Sequence, residues 1–113
     1  MQSNKLASYL PGDFTRPIHT ELQLVPDSLT QVTGSNSVIK HAHFMNRHTD
    51  TVLITVVDKQ DTPRYLLYQH PIPAKYTLTM DYPAGIPMKG GIQWLASVTN
   101  AVDGILLGNS ANG

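Results

Sequence analysis

Histidines are the residues of this chain whose spacing could support chemistry. His41 and His43 lie two positions apart in a segment with the pattern of a β-strand, and His48 follows soon after. Because alternate residues of a strand project from one face, the His41 and His43 imidazoles would converge without backbone strain. Imidazole nitrogens are common ligands of zinc, copper and iron. His41, His43 and His48 are therefore candidate metal ligands.

The His-x-His pair is partly similar to the metal-binding motifs of the cupin family, where it would imply a metal-dependent enzyme. The first cupin motif places a glycine before the pair and a glutamate after it. Gly34 precedes His41 by seven positions, one more than the motif requires, and the only glutamate is Glu21. The second motif ends in a histidine, whereas none follows Pro83 and Gly85. A cupin-like metal enzyme is therefore a remote alternative.

A structural explanation of the histidine pair is that His41 and His43 lie on a solvent or interface face of the strand, opposite Val38, Ala42 and Phe44. No other catalytic grouping stands out, because the chain lacks a Gly-x-Ser-x-Gly nucleophile motif. Several aspartates lie at predicted strand ends, where this residue favours turns. The sequence therefore predicts no enzyme activity, no catalytic residue and no cofactor.

The composition indicates a weakly charged chain. Charged residues make up 14% of it, against about a quarter in an ordinary soluble domain, and eight basic residues balance eight acidic ones. Nucleic-acid and anionic-membrane partners are not expected, because both need a basic surface. Cysteine is absent, and neither a signal peptide nor a membrane-spanning segment is predicted. A near-zero net charge also presents no long-range barrier to self-association.

Residues 51–58, with the sequence TVLITVVD, form a predicted strand that is apolar on both faces. A half-buried strand alternates apolar and polar residues, so this pattern predicts burial on both sides. The strand lies either under a long loop or against another copy of the protein, and the second explanation is favoured. The apolar side chains are Val52, Ile54 and Val56 on one face and Leu53 and Val57 on the other.

Short apolar segments recur about every ten residues and are separated by turn residues, which predicts an all-β, antiparallel β-sandwich or jelly-roll-like single domain. Six or seven strands are predicted, at 21–25 with a continuation at 29–32, and at 38–45, 51–58, 64–69, 75–81, 91–98 and 105–107. Residues 83–91 are rich in proline and glycine, so they are predicted to form neither a helix nor a central strand. The predicted organisation is an extended N-terminal arm at 1–20, the sandwich at 21–108 and a flexible C-terminal tail at 109–113.

Residues 46–108 contain an ordered series of motifs. An asparagine precedes a strand of the form T-V-x-I-T-V-V-D-K at 51–59, and a later apolar strand leads into P-I-P-A at 71–74. An alternating strand then ends in Y-P-A-G-I-P at 82–87, and G-I-Q-W-L-A-S follows at 91–97. This series resembles small β-sandwich virion proteins of tailed bacteriophages. That group includes capsid decoration (cement) proteins and components of necks, tails and fibres.

The resemblance implies a non-enzymatic structural protein. A capsid decoration protein that forms a homotrimer and stabilises the major capsid shell is expected, in the virion after assembly in the host cytoplasm. The alternatives are a tail, neck or fibre component and a host-glycan-binding module, whose aromatic platform would use Tyr65, Tyr68, Tyr76, Tyr82 and Trp94. The predicted interface residues are Tyr9, Leu10 and Phe14 in the arm, and Leu53, Val57, Tyr65 and Leu67 in the sandwich. Leu78 and Trp94 are also expected to contribute to core or interface burial.

Overall fold

The protein folds as a β-sandwich of antiparallel strands, which confirms the predicted fold class. The computed structural model describes residues 16–17, 23–34 and 36–110, and these contain no helix. The strands are β1 (Arg16–Pro17), β2 (Gln23–Leu24), β3 (Thr30–Gln31), β4 (Ser37–Asn46), β5 (Val52–Asp58), β6 (Arg64–Ile72), β7 (Thr77–Met88), β8 (Ile92–Ala96) and β9 (Val102–Ser110).

Two sheets form the layers of the sandwich. In sheet A, β9 and β4 are central, β7 forms one edge, and both β1 and β2 pair with β9 on the opposite side. In sheet B the strand order is β3-β8-β5-β6, so β5 is central and β6 forms an edge. Residues of β6 and β7 line one cleft, so these two edge strands lie on the same side of the sandwich.

The core lies between the sheets and consists of their inward-facing apolar side chains. Phe44 of sheet A and Trp94 of sheet B are buried and meet edge to face, with ring centroids 5.8 Å apart. Gly104 lies against both rings, since a Cβ at this position would come within 3.0 Å of each. Burial of Trp94 agrees with the sequence prediction, and Leu78 is half-buried against the core.

Strand β5 is buried on both faces within a single chain. Its core face is fully buried, and Val57 on the opposite face is only 3% exposed, while Leu53 is half-buried. The cross-strand neighbours of Val57 are Tyr65 on β6 and Gln93 on β8. The expectation that a second copy must cover this face is therefore wrong for Val57, because the chain's own strands enclose it.

Strand β7 continues to Met88, beyond the predicted strand end at 81. The prediction that residues 83–91 form neither a helix nor a central strand is confirmed, because β7 lies at the edge of sheet A. Proline is tolerated here since β7 is an edge strand, where a missing N–H need not break a ladder hydrogen bond. Strand pairing is interrupted between Asp81, opposite His41, and Ile86, opposite Ile39. The intervening residues of β7 form a bulge, and Gly85 adopts φ +83° within it.

Other strand boundaries differ from the prediction in the same direction. Strand β6 passes through Pro71 and ends at Ile72, beyond the predicted end at 69. Strand β9 runs to Ser110, so it extends two residues into the predicted tail. Arg16–Pro17, within the predicted arm, pairs with the end of β9, and the remaining residues of the arm lie outside the described part of the chain.

One buried side chain connects the two sheets. Asn46, at the end of β4, is fully buried, and its Nδ2 lies 2.8 Å from the carbonyl oxygen of Ile72 and 3.2 Å from that of Pro73. Its Oδ1 accepts a hydrogen bond from the backbone N–H of His48. Asn46 therefore fixes the turn after β4 and ties sheet A to the end of β6 in sheet B.

Candidate interaction surface

The structure keeps His41 and His43 on one face of β4 and places His48, the third candidate metal ligand, in the turn that follows. The Nδ1 atom of His41 lies 2.6 Å from Oδ1 of Asp81, and His43 is on the same face of β4. His48 lies in the turn after β4, where its Nδ1 accepts the backbone N–H of Asp50. The described residues contain no group of three or more histidine, cysteine or acidic side chains that could hold a metal ion. The geometry therefore favours a pairwise His41–Asp81 contact at the surface.

A bulge in β4 changes the expected faces of this strand. Ala42 and Phe44 point into the core, opposite the histidines, as predicted. Between Ile39 and His41 the register shifts by one residue, because Lys40 has no partner on β9. Val38 therefore lies on the same face as His41, and the prediction that it lies opposite is wrong.

Within the part of the chain that the structure describes, the strand residues on the outer face of sheet B include no charged side chain. Cross-strand partners project to the same side of a sheet, so the register defines this face from β3 to β6. The face consists of one row of cross-strand partners that spans all four strands and two further cross-strand pairs. These residues, the charge-free face, are Gln31, Gln93, Val57 and Tyr65, then Leu95 and Thr55, then Leu53 and Pro71.

Two tyrosines form the most prominent part of this surface. Tyr65 is 53% exposed and Tyr68 is 64% exposed, and their rings meet edge to face with centroids 4.9 Å apart. Two bulges in β6 bring the rings together. At one of these bulges the backbone N–H of Gln69 donates a hydrogen bond to Oγ1 of Thr55. Tyrosine is enriched at the centres of protein interfaces, where charged residues are depleted.

The predicted interface residues of the sandwich have different surroundings. Leu53 and Tyr65 lie on the charge-free face and keep exposed surface. Val57 lies on that face but is buried, and Leu67 is opposite Val56 and packs against the core. The predicted arm residues Tyr9, Leu10 and Phe14 lie outside the described part of the chain.

The aromatic platform predicted for glycan binding is only partly assembled. Trp94 is in the core, and Tyr76 is exposed in the turn before β7. Tyr82 is half-buried and donates to Sδ of Met80, and burial raises its pKa above the ordinary value of 10.0. The Tyr65–Tyr68 pair alone presents adjacent exposed rings among the described residues.

The outer face of sheet A has the opposite character. It carries the His41–Asp81 contact, and Asp103 accepts a 2.8 Å hydrogen bond from Nε of Arg47. Leu107 is 41% exposed among these polar groups, next to His41. The outer face of sheet A thus carries charged groups. The described strand residues on the outer face of sheet B include none, so burial of that face has a smaller desolvation cost.

A cleft of about 360 Å³ opens between the edge strands β6 and β7. Leu66, Ile86 and Met88 provide its apolar lining, and Arg64 lies at its polar end. Asp58 also lines it, but its carboxylate already accepts hydrogen bonds from the backbone N–H groups of Lys89 and Gly90 and from the side chain of Gln60. Asp58 therefore holds the turn between β7 and β8.

Comparisons with known proteins do not assign this chain to a family. No protein-family profile, curated protein or solved structure matches it. The part of the chain that the structure describes has no helix long and apolar enough to cross a membrane. The charge-free face, the tyrosine pair and the cleft are the surface features of the described residues that are suited to binding.

Proposed function

We propose that this chain is a non-enzymatic structural protein of a bacteriophage virion, which assembles through the charge-free face of sheet B. The observation that carries the proposal is a sheet face without charge, four strands wide, that ends in two exposed tyrosines. Such a surface has the composition of an interface core. The motif series at 46–108 resembles phage virion proteins, and this resemblance supports a virion as the place where the chain functions.

The specific role is that of a capsid decoration protein. The chain forms a homotrimer, binds the major capsid protein and strengthens the shell of the virion. A decoration protein occupies many symmetric positions, so even a modest contact per copy is multiplied over the shell. A stable contact buries about 800 Å² per partner, which is within the reach of a four-stranded face.

Prolines and bulges in the edge strands β6 and β7 support assembly through a sheet face. An exposed edge strand invites another strand to pair with it, and prolines and bulges prevent this. Strand β6 carries Pro71 and two register shifts, and β7 carries Pro83, Pro87 and a bulge. These edges disfavour strand addition, so side chains on a face are the better route to association.

Virion composition tests the proposal directly. Virions purified from the phage that encodes this chain are expected to contain it in a fixed ratio to the major capsid protein, as measured by quantitative mass spectrometry. Chemical cross-linking should join it to the major capsid protein. Its absence from purified virions, or cross-links only to tail proteins, would refute the decoration role.

A second candidate function is binding of a host glycan, and the exposed tyrosine pair favours it. Tyr65 also lines the cleft, beside the polar side chains of Gln60 and Arg64, which could contact sugar hydroxyls. A glycan array probed with the native chain and with Tyr68→Ala distinguishes this function. Signal that the variant loses would support it, and no signal with the native chain would rule it out.

A further inference from the structure

The cleft between β6 and β7 continues into a second depression at one end of the sandwich. This depression has a volume of about 570 Å³ and shares Gln60 and Arg64 with the cleft. Lys59 and Lys89 also line it, together with Asp61. The two form a single groove, which starts at the end of the sandwich among cations and runs between the edge strands over apolar side chains.

Arg16, at the start of β1, lies at the same end of the sandwich. Arg16 on β1 is the cross-strand partner of Ser110 on β9. Ser37 on β4 is the partner of both Ser110 and Met88, and Met88 on β7 lines the cleft. Strands in a sheet lie about 4.8 Å apart, so Arg16 is roughly 14 Å from Met88 across the end of sheet A. Arg16, which follows 15 N-terminal residues, is therefore three strand spacings from the groove.

A few residues before Arg16 are enough to reach the cleft. An extended chain covers about 3.3–3.6 Å per residue, so roughly four to five residues bridge the distance from Arg16 to the cleft. Residues 11–15 would form that bridge, with Pro11 and Gly12 allowing the chain to bend. We propose that the N-terminal segment docks in the groove of its own chain, with Tyr9 and Leu10 in the cleft.

Charge and polarity complement one another along the groove. Asp13, the only acidic residue before Arg16, would cross the depression where Lys59, Arg64 and Lys89 are exposed. The apolar side chains of Tyr9 and Leu10 would then reach the apolar lining of the cleft. Attachment to the same chain gives the segment a high effective concentration at this site, which favours its own groove over that of another molecule. This docking does not depend on the proposed virion role.

A pair of engineered cysteines tests the docking in a chain that has no native cysteine. Leu10→Cys combined with Ile86→Cys should form an intrachain disulfide under mild oxidation of a dilute sample, detected by mass spectrometry of the linked peptides. Leu10→Cys with Tyr76→Cys is the matched control, because Tyr76 is exposed in a turn outside the groove. The groove pair should form its disulfide about tenfold faster or more.

Formation at the rate of the control pair, or disulfide-linked dimers in place of the intrachain product, would overturn the proposal. Arg64→Cys replaces Ile86→Cys if the latter disturbs folding, because Arg64 is exposed at the cleft. A measurement without cysteine uses Leu10→Asp in the full-length chain. The amide resonances of Leu66, Ile86 and Met88 should shift while those of β2 and β3 remain in place, and unchanged cleft resonances would also overturn it.

Discussion

Asn46 fastens one sheet to the other through a single amide. Its removal would leave the carbonyl groups of Ile72 and Pro73 and the N–H of His48 without their present partner. We expect Asn46→Ala to lower the free energy of unfolding by about 1–3 kcal/mol, because buried polar groups lose their hydrogen bonds. Urea unfolding measures this, with Thr49→Ala in the same turn as the exposed control. Equal stability of the two variants would contradict the role of Asn46.

Asp58 offers a second test at the residue scale. Its carboxylate accepts from the N–H groups of Lys89 and Gly90, whereas Asp61 nearby is exposed. Asp58→Asn replaces one acceptor oxygen with a donor group and should cost about 1–3 kcal/mol of stability. Asp61→Asn, which makes the same chemical change in the adjacent turn, should cost close to nothing. If thermal unfolding shows the same loss for both, the turn does not depend on the Asp58 carboxylate.

At the scale of elements, the prolines of β7 protect an exposed edge. Among the described residues, β4 is the only strand partner of β7, so within that part of the chain the other side of β7 is open to an incoming strand. Replacing Pro83 and Pro87 with threonine restores two N–H groups and raises β propensity. We expect the double variant to aggregate faster than the native chain in a thioflavin assay. The matched control is Pro26→Thr outside the strands, and equal rates would contradict a protective role.

The strand pattern was predictable where it depended on periodicity. The segments at β4, β5 and β8 were found because their apolar residues alternate or run together, and packing in the sandwich follows that pattern. The end of β7 was missed because proline excludes a central strand, and only the assembled sheet reveals that β7 is at an edge. Enclosure of Val57 was missed for a similar reason, since it depends on its neighbours Tyr65 and Gln93.

The candidate surface was only partly foreseen from the sequence. Leu53 and Tyr65 could be selected because a two-sided apolar strand and its neighbour suggest an interface. The meeting of Tyr65 with Tyr68 depends on bulges in β6 that leave no clear signature in the chain. The buried amide of Asn46 was missed because a polar residue in a turn segment is ordinarily exposed, and only the tertiary fold brings it to the β6 carbonyls.

At the scale of the whole molecule, the two outer faces of the sandwich have different electrostatic character. Sheet A displays the Arg47–Asp103 ion pair and the His41–Asp81 contact, and sheet B displays amides, aliphatic side chains and tyrosines. Burying the face of sheet B desolvates no charge, so association there avoids the cost of removing charged groups from water. The zero formal net charge of the chain leaves little repulsion between copies. We therefore expect association, where it occurs, to use sheet B in preference to sheet A.

Analytical ultracentrifugation at micromolar concentration tests association through this face most directly. The native chain is expected to sediment as a trimer. Tyr68→Lys should weaken association by about thirtyfold, equivalent to about 2 kcal/mol, because it places a charge on a charge-free interface. Tyr76→Lys, at a similarly exposed tyrosine away from this face, should sediment like the native chain. A native chain that is monomeric throughout, or equal behaviour of the two lysine variants, would contradict assembly through sheet B.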